Sequence, residues 1–113
     1  MTLRIASDRL TAEISELGAE LQRLTDEAGR DYLWDGDPAW WSGRAPILFP
    51  IVGTLNSDHY RWHGQFYTLA RHGFARRSVF KVAEHDPDGL ILRLDANEAT
   101  REVWPFEFSL ELI

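Results

Sequence analysis

The sequence predicts an all-β chain, an antiparallel sandwich or open barrel, and three features predict it. Apolar and polar residues alternate over many short stretches. Turn signals built from Gly, Pro, Asp and Ser separate those stretches at near-regular spacing. No segment carries a helical period for more than about one turn.

Each element follows from those rules. Residues 2–6 and 10–14 alternate, with Ser7, Asp8 and Arg9 as the turn between them, and Leu10, Ala12 and Ile14 sharing a face. Residues 19–25 have a helix-like composition. They are confined between Gly18 and a turn at residues 26–29, which is too short for a helix and favours a strand. Residues 32–34 read as a brief strand, 35–38 as a turn and 40–44 as a loop. The apolar run 46–52 contains Pro46 and Pro50, which cannot donate to a ladder, so it is an edge strand or a buried extended loop. Residues 60–69 form a hairpin around His63 and Gly64. Residues 78–85 and 90–95 form another, joined by Asp86-Pro87-Asp88-Gly89. Residues 97–104 read as one helical turn before Pro105. Residues 106–113 alternate strictly, with Phe106, Phe108, Leu110 and Leu112 on one face.

Composition narrows the function. The 113 residues suit one domain or part of one. Twelve Lys and Arg against 18 Asp and Glu give a net charge of -6. That balance argues against a nucleic-acid partner and against adsorption to anionic lipid, both of which need a basic face. There is no cysteine, which excludes disulfides, thiolate metal sites and cysteine nucleophiles. The N-terminus lacks an apolar signal core, and no apolar run approaches the ~20 residues of a membrane helix. The expected location is the cytoplasm. Because the last alternating strand runs to Ile113 without a closing turn, residues 1–113 are expected to be a truncated piece of one sandwich. Unpaired strand edges are then expected to drive self-association.

Two segments are candidates for chemistry. In Arg71-His72-Gly73-Phe74-Ala75-Arg76, a histidine lies between arginines and next to a glycine that lets backbone approach a ligand. The plain alternative is a solvated surface loop. In Trp40-Trp41-Ser42-Gly43-Arg44, adjacent indoles beside a guanidinium suit one wall of a polar-ligand pocket, or else an apolar plug at the end of the sandwich. His59 and His63 form no established metal-ligand pattern, and the Asp35/Asp37 and Asp86/Asp88 pairs lack the rest of a calcium loop. No serine lies in a nucleophile-elbow context.

An ordered set of motifs resembles the bacterial branch of the aldose 1-epimerase family. The set is Leu17-Gly18-Ala19-Glu20-Leu21, Tyr32-Leu33-Trp34, Gly36-Asp37-Pro38, Trp40-Trp41, Gly43-Arg44-Ala45-Pro46-Ile47-Leu48-Phe49-Pro50-Ile51-Val52-Gly53 and Arg71-His72-Gly73-Phe74-Ala75-Arg76. The resemblance implies a galactose mutarotase-like antiparallel β-supersandwich, of which this is the N-terminal part. It implies interconversion of the α and β anomers of an aldose or a hexose phosphate, with no metal or organic cofactor. A glutamate takes the anomeric hydroxyl proton, a histidine protonates the ring oxygen, and the open chain rotates and recloses. By family position His72 is the first active-site histidine, which contacts the sugar and assists the acid step. Arg44, Arg71 and Arg76 are the expected contacts to sugar hydroxyls or phosphate. The main acid and the base lie further along in relatives than Ile113. None of Glu98, Glu102, Glu107 and Glu111 matches the base, so the 113 residues alone are expected to be inactive. Thr54 departs from the arginine that relatives often carry there. The alternative function is a non-catalytic carbohydrate-binding sandwich.

Overall fold

A computed structural model describes residues 1–113, all of the chain. Eight short strands account for nearly all of its regular structure. Strands β1 (Thr2–Ala6), β2 (Leu10–Ser15) and β3 (Leu21–Asp26) form one antiparallel sheet. Strands β4 (His59–Trp62) and β5 (Gln65–Thr68) form a hairpin, and β6 (Lys81–His85), β7 (Leu90–Asp95) and β8 (Ser109–Leu112) form a second three-stranded antiparallel sheet. The one α-helix, α1 (Glu98–Val103), links β7 to β8.

Local chemistry explains the turns. The β4–β5 hairpin closes on His63 (φ 49°) and Gly64 (φ 75°), both left-handed, as a two-residue turn matched to strand twist requires. The β6–β7 turn is closed by the Asp86 N–H on the Gly89 carbonyl at 2.8 Å. Helix α1 begins at a reciprocal cap. The Asn97 side chain accepts from the Thr100 N–H at 3.1 Å, and the Thr100 hydroxyl accepts from the Asn97 N–H at 2.9 Å. Asp26 holds the loop after β3, accepting from the Ala28 and Arg30 N–H groups and from the Tyr32 hydroxyl.

Three expectations from sequence need correction. Residues 32–34 are not a strand. The only ladder contact there is an isolated bridge from Asp31 to Thr25, and the Tyr32 hydroxyl and the Trp34 indole are instead drawn to Asp26 and the Trp41 carbonyl. The last strand begins at Ser109 rather than Phe106. The Phe106 N–H turns back to the Trp104 carbonyl, and its ring packs on Trp62 and Trp104. The strand expected over 78–85 begins at Lys81, because Ser78 and Phe80 bond to Gly18 and Glu16 instead. Of the two readings of 46–52, the structure adopts the extended loop, though half-buried rather than buried and with Val52 77% exposed, and with a cis Phe49–Pro50 bond.

The two three-stranded sheets are stitched along their edges. Gly18 donates to the Ser78 carbonyl, Phe80 to Glu16 and Ala6 to Pro87. The core lies beneath that seam, where Ala19, Ala75, Phe80, Leu90, Leu92 and Leu94 are buried. Leu3, Ile5 and Ile14 approach from one sheet and Leu110 and Leu112 from the other. The molecule is a slab of 56 × 34 × 18 Å. Its radius of gyration of 16.4 Å exceeds the ~13 Å of a compact chain of this length. A slab buries little, so large apolar side chains such as Trp40 and Phe66 stay 81% and 71% exposed. No helix is long and apolar enough to cross a membrane.

Stability should therefore concentrate in a few residues. Phe80 and Leu92 are each 1% exposed. Leu92→Ala should cost about 2–5 kcal/mol and Phe80→Ala about 3–5 kcal/mol of unfolding free energy, through lost burial plus cavity. Phe66→Ala, at the exposed tip of β5, should cost no more than ~0.5 kcal/mol. Urea unfolding of the three variants measures the contrast.

Candidate functional site

The extended loop 46–53 and the turn 70–76 meet backbone to backbone. The Phe49 carbonyl accepts from the Phe74 N–H at 3.0 Å and the Ala75 N–H at 3.2 Å, and Phe49 bridges Gly73 in parallel fashion. Such an approach requires glycine. A Cβ at Gly73 (φ 72°) would stand 2.2 Å from the Phe49 oxygen. The Phe49 ring then packs on Phe74 and Phe108 at centroid distances of 6.1 and 5.2 Å, which ties the loop to the core.

His72 sits at the end of this crossing. It holds a left-handed backbone (φ 64°), costly for a residue with a Cβ, and the Gly73 N–H closes the turn on the Ala70 carbonyl at 2.9 Å. Two hydrogen bonds offset that cost. The His72 N–H donates to the Gly53 carbonyl, and the Gly53 N–H donates to His72 Nδ1, both at 2.8 Å. The ring is half-buried. Its partial burial, with the charges of Arg71 and Arg76, lowers its pKa below the usual histidine value.

The three arginines are placed differently. Arg71 is exposed beside His72, and its carbonyl accepts from Arg76 Nη2 at 3.1 Å. Arg76 is half-buried, and its Nε is enclosed without a hydrogen-bond partner. Arg44 serves β3. Its Nη1 donates to the Gln22 carbonyl at 2.7 Å, and its backbone N–H donates to Glu20 Oε2 at 2.9 Å. The structure thus brings Arg71, His72 and Arg76 together and fixes Arg44 as the anchor of the loop's start. Trp40 and Trp41 stand half or more exposed, with Trp41 lying over Gly43. The His59 ring nitrogen bonds the Ser57 carbonyl, and no group of three or more His, Asp or Glu side chains is gathered to hold a metal ion. Sequence reasoning missed two positioning groups, Gly53 and Glu20. Gly53 carried one signal, a glycine directly after an apolar extended run.

The family model for aldose 1-epimerase matches residues 1–113, the whole chain. The chain belongs to the aldose 1-epimerase family. The plasmid and chromosomal LacX proteins of Lactococcus lactis subsp. lactis are each 33% identical to it over 118 residues. The match spans 100% of this chain and 40% of theirs, so the chain spans two fifths of the length of these relatives. A galactose mutarotase related enzyme from Lactobacillus acidophilus superposes with a TM-score of 0.95 at 38% identity, over 98% of this chain and 37% of that one. A galactose mutarotase-like protein from Lactobacillus casei superposes at 0.94 and 37% identity, over 98% and 38%. The fold of this member of the aldose 1-epimerase family is thus the galactose mutarotase-like, all-β antiparallel one.

Substitution tests the crossing. Gly73→Ala should destabilise the protein by more than the ~1–2 kcal/mol of a left-handed alanine, since its Cβ also meets the Phe49 carbonyl. Gly53→Ala has the same backbone hand but open space around its Cβ, and should cost only that ~1–2 kcal/mol. Unfolding midpoints of the two variants give the comparison.

Proposed function

We propose that the whole protein is an aldose 1-epimerase, with residues 1–113 as the N-terminal part of a single sandwich domain. Its substrate is a monosaccharide or a hexose phosphate in the cytoplasm. The observation that carries this reading is the reciprocal Gly53–His72 link, which holds a histidine between Arg71 and Arg76 in a chain that matches the family throughout. In the proposed reaction a base removes the proton of the anomeric hydroxyl, the C1–O5 bond breaks, and an acid protonates the ring oxygen. Rotation about C1–C2 and reclosure give the other anomer. The C1–O5 bond breaks and re-forms with no change of oxidation state and only protons pass to and from the protein, so the reaction calls for no metal or organic cofactor. His72 contacts the sugar at the acid side. Arg71 and Arg76, with Arg44, supply guanidinium donors that suit hydroxyls or a phosphate. The base and main acid come from residues beyond the 113.

The second reading, a carbohydrate-binding sandwich without catalysis, draws on the exposed Trp40 and Trp41, whose faces suit the C–H face of a sugar. Polarimetry on freshly dissolved α-glucose or α-galactose separates the two. The protein carrying the whole family domain should accelerate mutarotation, and His72→Ala should slow it at least ~10-fold, the worth of one lost hydrogen bond of about 1.4 kcal/mol to the sugar. The 113 residues alone should leave the spontaneous rate unchanged. A whole-domain protein that binds sugar without changing that rate would establish the second reading.

A further inference from the structure

We infer that the Gly53 backbone fixes His72 in its Nε2–H tautomer, making it a neutral hydrogen-bond donor that keeps its proton rather than a carrier that delivers one. The inference deepens the epimerase reading and rests on it for the identity of the acceptor, a sugar oxygen.

The geometry leaves little choice. A backbone N–H only donates, so the Gly53 N–H at 2.8 Å from Nδ1 makes Nδ1 an acceptor. An imidazole accepting at Nδ1 and neutral overall carries its hydrogen on Nε2. Protonating Nδ1 would set two N–H groups against each other across that distance. Losing the Nε2 proton would leave an imidazolate. Both routes that would make His72 a proton carrier at neutral pH are therefore closed.

The rest of the loop enforces the arrangement. The His72 N–H holds the Gly53 carbonyl, so the two residues are joined at two points and the ring cannot turn over without breaking one of them. Within residues 1–113 the charged groups that bear on the ring are Arg71 and Arg76, both cationic, with no carboxylate among them to stabilise an imidazolium. Partial burial and these two cations lower its pKa. The sign follows. The unfolded chain takes up the proton first as pH falls below ~6.5, so His72 weakens folding as pH drops from there towards its lowered native value.

Nitrogen-15 NMR of the imidazole rings tests the assignment on the 113-residue chain. His72→Ala identifies the His72 signals among the four histidines. The expected spectrum at pH 7.5 has a protonated Nε2 and a bare Nδ1, and His72 should remain so below pH ~6.5. A proton on Nδ1, rapid averaging of both tautomers, or titration at or above ~6.5 would overturn the inference. A kinetic arm uses the whole-domain protein and His72→Gln, whose amide keeps a donor near the Nε2 position but cannot pass a proton. His72→Gln should retain at least ~10-fold more mutarotation than His72→Ala, the worth of one retained hydrogen bond of about 1.4 kcal/mol. Equal loss in both variants would contradict it. If the wild-type protein does not accelerate mutarotation, the epimerase reading fails, and the NMR result alone decides the tautomer.

Discussion

The carbonyl of Phe49 meets a backbone that has no side chain, at Gly73, and the geometry around His72 depends on that meeting. Pro46 and Pro50 deprive the 46–53 loop of ladder donors, so it cannot act as an ordinary strand. Its carbonyls are used instead. Phe49 takes the N–H groups of Phe74 and Ala75, and Gly53 takes that of His72. Backbone polar groups in a half-buried segment need partners, and the tight turn at 70–75 supplies them from successive residues. Any Cβ at position 73 would separate the two segments and leave those carbonyls unsatisfied.

This crossing is gripped from both sheets. On one side the Phe49 ring joins Phe74 and Phe108 and reaches the core above β7 and β8. On the other, Glu20 Oε2 takes the Arg44 and Ala45 N–H groups, and Arg44 returns a hydrogen bond to the Gln22 carbonyl of β3. Gly18, packed against the Arg76 carbonyl, closes the circuit, since a Cβ there would lie 2.7 Å from that oxygen. A loop with little regular structure of its own thus takes its rigidity from two sheets.

Local chemistry made much of the fold legible in the sequence. The hairpins around His63-Gly64 and Asp86–Gly89 carry turn residues whose backbone preferences allow few alternatives. Pro105 marks where the helical turn read over 97–104 must stop, and α1 ends at Val103 just before it. What failed were segments whose partners are remote or aromatic. Residues 32–34 and Phe106 have strand-like composition, yet Trp41, Trp62 and Trp104 recruit them into packing that no period reveals. At the site, residue type and family motif singled out His72, Arg71 and Arg76. The Gly53 link to His72 spans 19 positions and the Arg44 link to Gln22 spans 22, and alternation along a strand carries no information over such separations.

The claim that loop 46–53 and turn 70–76 form one mechanical unit is tested most directly by amide hydrogen exchange. The Gly53, His72, Phe74 and Ala75 N–H groups all donate across the crossing. After correction for intrinsic rates they should share a single opening free energy, since none can be released without parting the same two segments. Free exchange at Gly53 and His72 while Phe74 and Ala75 stay protected would contradict the account, because His72 would then sit on a loop that moves independently of the crossing.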